Sequence, residues 1–220
     1  ESHNDNSLIT PRSFVETNIL GTFEILQACL KYSVRYHHIS TDEVFGELPL
    51  DGKERFDVHS AYNPSSPYSA TKAASDFLVR SWVRSFDLQA TISNSSNNYG
   101  PNQHEEKFVP QTILLGSLGL RPQIYGKGEN VRDWIHVDDH NDGVWAILEK
   151  GVIGETYLLG ANSERTNLQV ARAILTELNL PEDFIQFVPD RPGHDLRYSI
   201  DASTTREQLG WEPKYSSFEQ

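Results

Sequence analysis

The stretch Ser40-Thr41-Asp42-Glu43-Val44-Phe45-Gly46 sets a hydroxyl beside two adjacent carboxyl groups, and Tyr68-Ser69-Ala70-Thr71-Lys72 sets a phenol four residues before an ammonium. Positions i and i+4 share one face of a helix, so a helical second segment points Tyr68 and Lys72 the same way. A free tyrosine titrates near ~10, so a phenolate base at neutral pH needs a shift of about three units, roughly 4 kcal/mol. A neighbouring ammonium pushes in that direction. Together the two segments offer a base for a hydroxyl group and an acid–base pair suited to removing water. Taken singly, each is commonplace: Tyr-x-x-x-Lys arises by chance, and Asp-Glu after a strand is often a solvated turn.

The elements that must position these groups follow from hydrophobic spacing. Residues 11–32 read as a helix with Val15, Ile19, Phe23, Leu26 and Leu30 on one face. Residues 34–40 read as a strand feeding the Thr41-Asp42-Glu43 loop, and 48–60 as a polar surface loop. Pro64-Ser65-Ser66-Pro67 is a helix start, and the helix runs to about Phe86 with Ala70, Ala74, Phe77, Leu78 and Trp82 as its apolar face. Strands are expected over 88–95, 123–125, 131–137, 155–160 and 184–188. Helices are expected over 108–120, 138–150, 167–178 and 202–209, and Asn97-Asn98-Tyr99-Gly100-Pro101 reads as a turn. Such alternation argues for an α/β protein with a parallel sheet, whose site lies beyond the carboxyl ends of the strands. The loops at Thr41-Asp42-Glu43 and Asn97-Asn98 both fall there.

Composition narrows the class. With 31 acidic and 19 basic residues the net charge is −12, which as a whole repels nucleic-acid backbones and anionic membranes. A local basic pocket for a diphosphate remains compatible with it, and Lys107, Arg132 and Arg191 are the candidate cations, arginine being suited to bidentate pairing. The single cysteine, Cys29, excludes an internal disulfide. No run of about 18 apolar residues and no signal peptide is present, so a cytoplasmic protein is expected. His37-His38, and His136 with Asp138-Asp139, lack ligand spacing, and no metal is expected. The chain has no methionine, opens at Glu1-Ser2-His3 and contains no glycine-rich dinucleotide loop. It therefore reads as an internal piece of a longer protein.

The strings Ser40 to Gly46, Pro64 to Ala73, Ser96-Asn97-Asn98-Tyr99-Gly100-Pro101 and Asp190-Arg191-Pro192-Gly193-His194-Asp195 resemble the dTDP-glucose 4,6-dehydratase family of the extended short-chain dehydrogenase/reductase superfamily. The likeness runs through nearly the whole chain, with Phe45 where the family usually has tyrosine. It implies an α/β fold: a Rossmann-like doubly wound parallel sheet whose N-terminal part lies outside this chain, with a smaller α/β nucleotide-sugar-binding domain. The first would take residues 1–107 and 131–162, the second 108–130 and 163–220, interleaved. It also implies NAD as cofactor and dTDP-glucose as substrate, converted to dTDP-4-keto-6-deoxyglucose and water on the route to dTDP-rhamnose and cell-surface polysaccharide.

By this resemblance Tyr68 assists hydride removal from the sugar's carbon 4 to NAD, while Thr41 donates to the 4-oxygen. Glu43 takes the carbon 5 proton, Asp42 protonates the departing 6-hydroxyl, and hydride returns to carbon 6. Asp42 must hold a proton when it acts, so burial or its neighbour's charge is expected to raise its pKa. Cofactor contacts carry over to Thr17, Tyr68, Lys72 and Asn98. Substrate contacts carry over to Ser2, Thr41, Asn97, Lys107, Phe108, Gln123, Tyr125, Arg132, Asn167, Arg191 and His194. A homodimer is implied, through the helices at 11–32 and 64–86. Two alternatives stay open: a nucleotide-sugar 4-epimerase, which needs Tyr68 and Lys72 but not Asp42-Glu43, and a catalytically dead relative. The 220-residue piece alone is expected to be inactive.

Overall fold

Short runs of β-branched and small polar residues form parallel strands here, and the amphipathic stretches between them fold back as helices. A computed structural model describes residues 1–215. The end of the second expected domain, 216–220, lies outside the described residues. Strands Tyr36–Thr41 (β1), Ala90–Ser95 (β2) and Thr156–Leu159 (β6) pair in parallel, with β2 in the middle. The register sets Thr41 opposite Ser95, so β1 and β2 end level, where an open parallel sheet places its site.

The middle strand β2 is buried throughout, yet Thr91, Ser93, Asn94 and Ser95 are polar. Buried polar groups need partners. The His37 ring on β1 supplies two, with Nδ1 2.9 Å from Thr91 Oγ1 and Nε2 3.0 Å from Ser93 Oγ.

A second sheet joins Asn97–Tyr99 (β3), Val131–His136 (β5) and Glu164–Thr166 (β7), and a strand pair joins Gln123–Tyr125 (β4) to Gln186–Val188 (β8). The turn expected at 97–101 is thus a strand as far as Tyr99. Its backbone pairs with β5, Asn97 opposite Trp134, and that distant ladder overrides the local turn preference. Helices Phe108–Ser117 (α5) and Asn167–Glu177 (α7) share a core of Val109, Trp134, Val170 and Ile174. Helices Val137–Lys150 (α6) and Ser203–Leu209 (α8) pack Ile147, Leu209 and Trp211 with Leu158 and Leu159 of β6.

The helix carrying Tyr68 and Lys72 spans Pro67–Phe86 (α4). Ser66 and Ser69 form a capping box around it, with Pro67 in the first turn. Its buried face matches the expected one only in part: Leu78 and Trp82 pack against Leu26 and Val79. Phe77 is 54% exposed and Ala70 is exposed, whereas Ser69, Thr71, Ser75 and Asp76 are buried. The polar face turns inward because β1 and β2 present polar partners: His38 Nε2 lies 3.1 Å from Ser75 Oγ, and Asn94 Nδ2 donates to Asp76 Oδ2 at 3.0 Å.

The helix expected over 11–32 is three pieces in series: Pro11–Phe14 (α2), a π-helical stretch Val15–Leu20, and Gly21–Tyr32 (α3). The wide turn faces Asn18 inward, where its Nδ2 donates to Thr71 Oγ1 of α4 at 3.0 Å and to the Glu1 carbonyl at 3.1 Å. A further helix, Asn4–Ile9 (α1), precedes it.

Burial pushes the His37 pKa down to about 4, and the charges of His38, His140 and Arg35 act the same way. An unfolded histidine titrates near ~6.5, so between that pH and about 4 the unfolded chain binds more protons, and stability rises with pH. Urea midpoints measured from pH 4 to 7 should climb across this window. His37→Gln should flatten the climb.

Candidate active site

At the end of β1 the chain makes a 3-10 turn over Asp42–Phe45, capped by Thr41, whose Oγ1 accepts from the Glu43 amide at 3.3 Å. Gly46 closes the turn with φ +86, and a Cβ there would stand 2.4 Å from the Asn63 carbonyl oxygen. The turn sends the two carboxyls to different places. Asp42 is only 1% exposed, while Glu43 reaches a pocket wall. Burial, and next the charge of Glu43, raises the Asp42 pKa well above the ordinary carboxylate range.

Tyr68, in the first turn of α4, is buried behind Glu43; it shares a hydrogen bond with Thr41 and meets Phe14 edge-on, ring centroids 6.2 Å apart. Its phenol is pushed up from the usual value, by burial first and then by the negative charge of Glu43. The sequence leads one to expect a downward push from Lys72. Instead the Lys72 ammonium donates to the Ile39 carbonyl at 2.7 Å, and its own pKa is lowered by burial.

The pocket, about 320 Å³, lies where strand ends, helix starts and the first residues of the chain converge. Ser2, Asn97, Lys107, Phe108, Gln123, Tyr125, Arg132, Asn167, Arg191 and His194 line it together with Glu43. Thr41, Asp42, Tyr68 and Lys72 stand beneath or beside this wall and are not part of it. Two expected contacts fall away from it: Thr17 is exposed on the π-helical stretch, and Asn98 donates its Nδ2 to the Ser96 carbonyl at 3.1 Å.

The three cations are held in different ways. Arg132, 5% exposed, gives Nη2 to the Asp195 carbonyl at 2.9 Å and Nη1 to the Val131 carbonyl at 2.7 Å, with its guanidinium 4.1 Å above the Tyr198 ring. Both terminal nitrogens are engaged, so Arg132 presents a fixed positive charge instead of a free fork. Lys107 Nζ donates to the Ser2 carbonyl, and its pKa is lowered by burial against the pull of Glu106 and Glu43. Arg191 Nη1 donates to Asp5 Oδ1 at 2.6 Å. His194 Nδ1 lies 2.6 Å from Asp190 Oδ1, and burial followed by Arg191 holds its pKa down.

Residues not singled out in the sequence complete the wall. Asn4 donates Nδ2 to Glu43 Oε2 at 2.7 Å. Asp5 accepts from Tyr125 Oη at 2.8 Å as well as from Arg191. Tyr198, Trp134 and Gln111 also line the cavity. Asn4 and Asp5 directly follow Ser2-His3, so proximity to an expected contact was the available signal. Tyr198 has no such signal short of the fold. Among the described residues no group of three metal-ligating side chains comes together, and no helix is long and apolar enough to cross a membrane.

Parallel strands ending in Thr41 and Ser95, backed by a helix bearing Tyr68 and Lys72, define the class: a Rossmann-like α/β fold of the short-chain dehydrogenase/reductase type. The chain belongs to the nucleotide-sugar 4,6-dehydratase family, for the family model described as GDP-mannose 4,6 dehydratase matches residues 1–220. It is 57% identical over 219 residues to a dTDP-glucose 4,6-dehydratase of Mycolicibacterium smegmatis, covering 100% of this chain and 66% of that protein. To the Haemophilus influenzae dTDP-glucose 4,6-dehydratase it is 45% identical over 241 residues, covering 100% of this chain and 71% of that one. The crystal structure of DesIV, a dTDP-glucose 4,6-dehydratase from Streptomyces venezuelae with NAD and TYD bound, superposes with a TM-score of 0.94 at 39% identity, over 97% of this chain and 66% of that one. A Thermus thermophilus UDP-glucose 4-epimerase complexed with NAD superposes at 0.88 with 26% identity, over 97% of this chain and 70% of that one. The chain thus spans 66% of the mycobacterial relative's length.

Burial raises the Asp5 pKa, but the hydrogen bonds from Arg191 and Tyr125 and the Arg191 charge outweigh it, and the carboxyl is held below the usual carboxylate range. Arg191→Ala removes the larger of these bonds. The Asp5 carboxyl, followed by carbon-13 NMR titration, should then move up in pH, while Tyr125→Phe should give a smaller upward move.

Proposed function

We propose that the protein containing this chain is an NAD-dependent hydro-lyase that converts dTDP-glucose to dTDP-4-keto-6-deoxyglucose and water. The observation that carries this reading is the split between two adjacent carboxyls: Asp42 is buried with its pKa raised, while Glu43 is held at the wall of a pocket also lined by Lys107, Arg132 and Arg191. A water-eliminating site needs one group that holds a proton and one that takes one.

Two buried polar atoms support a cofactor at the strand ends. Ser96 Oγ and Asn97 Oδ1 have no hydrogen-bond partner among the described residues, and a dinucleotide bound beyond the strands would satisfy such groups. Tyr68, Lys72 and Asn98 are the residues that would face it, with Thr17 on its outer side. NAD, when bound, accepts a hydride from carbon 4 of the sugar and returns it to carbon 6.

The chain's own residues do the rest. Thr41 and Tyr68, joined by a hydrogen bond, orient the 4-hydroxyl, and Tyr68 takes its proton. Once carbon 4 is a ketone, the carbon 5 hydrogen is acidic. Glu43 removes it as a proton, the C5–H electron pair forms the C5=C6 bond, and the 6-hydroxyl leaves as water with a proton from Asp42; when hydride reaches carbon 6, the proton held by Glu43 returns to carbon 5. Lys107, Arg132 and Arg191 balance the diphosphate charge. Gln123, Tyr125, Asn167 and His194 contact the nucleotide, and Ser2, Asn97 and Phe108 border the sugar and phosphates. Residues 1–107 and 131–162 serve as the cofactor domain, and 108–130 with 163–220 as the substrate domain. Exposed Phe77 and Phe86 on α4 and Leu20 and Ile25 on the neighbouring helix support a homodimer through these helices.

Glu43→Gln tests the reaction. Formation of 4-keto-6-deoxy sugar should fall by roughly 10²- to 10⁴-fold, the usual worth of a positioned general base. Nicotinamide reduction in a single turnover, read at 340 nm, should persist. An epimerase would keep nearly full turnover in this variant.

A further inference from the structure

Glu43 does not reach the pocket wall unaided. Its Oε2 accepts from Asn4 Nδ2 at 2.7 Å, across 39 residues of sequence, from the first helical residue of α1. The second donor nearby is weaker: Tyr198 Oη lies 3.4 Å from the same oxygen but donates to Asp195 Oδ2 at 2.5 Å. A phenol has one proton, and the shorter contact claims it. Asn4 is therefore the group that anchors this carboxylate.

The orientation of Asn4 is determined by the same contact. A carboxylate only accepts, so the amide nitrogen must face Glu43; turning the amide over would set two acceptors against each other. The oxygen left behind, Asn4 Oδ1, is buried and has no hydrogen-bond partner among the described residues. The side chain thus keeps a donor on Glu43 while its own acceptor goes unsatisfied, so the Glu43 carboxylate is what holds the amide in place.

We propose that Asn4 is a positioning residue for proton abstraction: its amide fixes the Glu43 carboxylate toward carbon 5 of the bound sugar. This rests on the reading of Glu43 as the base. Displacing a base by a fraction of its reach slows the step it performs, and losses on the order of 10²-fold follow from misplacements of about 1 Å.

The test uses the whole protein as its gene encodes it, with NAD and dTDP-glucose, comparing wild type with Asn4→Val and Asn4→Asp at pH 8. Asn4→Val removes the donor, and Asn4→Asp replaces it with an acceptor of equal size. In both, kcat should fall by roughly 10- to 100-fold, KM should change by less than about threefold, and the deuterium isotope effect on kcat with substrate labelled at carbon 5 should rise above the wild-type value. The isotope effect is the reading that a merely structural role would leave alone. Active wild type with unchanged kcat and isotope effect in both variants overturns the role of Asn4 and leaves the reaction standing. Wild type that makes no 4-keto-6-deoxy product overturns the reaction and this inference together.

Discussion

The carboxylate of Asp76 sits where α4, β1, β2 and the 48–63 loop meet, and the positions of the reactive groups trace back to it. Tyr62 Oη donates to its Oδ2 at 2.8 Å, and Asn94 Nδ2 donates to the same oxygen at 3.0 Å. Asn94 Nδ2 also donates to the Thr41 carbonyl at 3.0 Å, which ties the end of β1 to β2. His38 Nε2 approaches Oδ1 at 3.3 Å. Burial alone would raise the Asp76 pKa, but the hydrogen bonds from His38 and Asn94 outweigh it and hold the carboxyl low. Asp76 stands one turn beyond Lys72 and two beyond Tyr68, so a charge buried in this way fixes the phase of the helix that carries them. Leaving any of these donors unpaired in a dry interior would be expensive, and α4 has no cheaper rotation available to it.

On that fixed frame, neighbouring residues acquire opposite characters through small geometric differences. Asp42 and Glu43 are adjacent in a tight turn, yet one is sealed under the strand end and the other reaches the pocket wall. Burial, and next the charge of Glu43, raises the proton affinity of Asp42. The same causes act on Tyr68 in the same direction. A phenol packed against Phe14, with two carboxyls nearby, is held neutral by its surroundings, so any base it provides depends on positive charge brought close to it.

Much of this architecture was legible in the amino-acid order, and the exceptions are instructive. The Pro-Ser-Ser-Pro start placed α4, because caps and proline act locally, and the main strands were found because short β-branched segments are bracketed by turn residues. The inner face of α4 misled in part, since periodicity follows apolar residues while its buried face is also held by Ser75 and Asp76. Strand β3 looked like a turn because its partner, β5, lies far along the chain. Helix α1 opens with Asn, Asp, Asn and Ser, residues that favour caps over helices, so nothing local announced it. In the pocket, the residues inside the recognised motifs were expected. Asn4, Asp5 and Tyr198 were not, because their meaning lies in partners brought by folding: Asp5 meets Arg191 across 186 residues.

The π-helical stretch Val15–Leu20 is in effect one surplus residue wound into an otherwise ordinary helix. Removing the surplus residue would close the wide turn that sets Asn18 inward, while the flanking turns, which the bulge had kept in phase, would stay in register. Asn18 would then lose either the Glu1 carbonyl or Thr71, and with it the link between the pocket's first residues and α4. The segment can therefore tolerate changes of residue type at its exposed positions far better than a change of length, and its count of residues is as much a part of the site as any side chain.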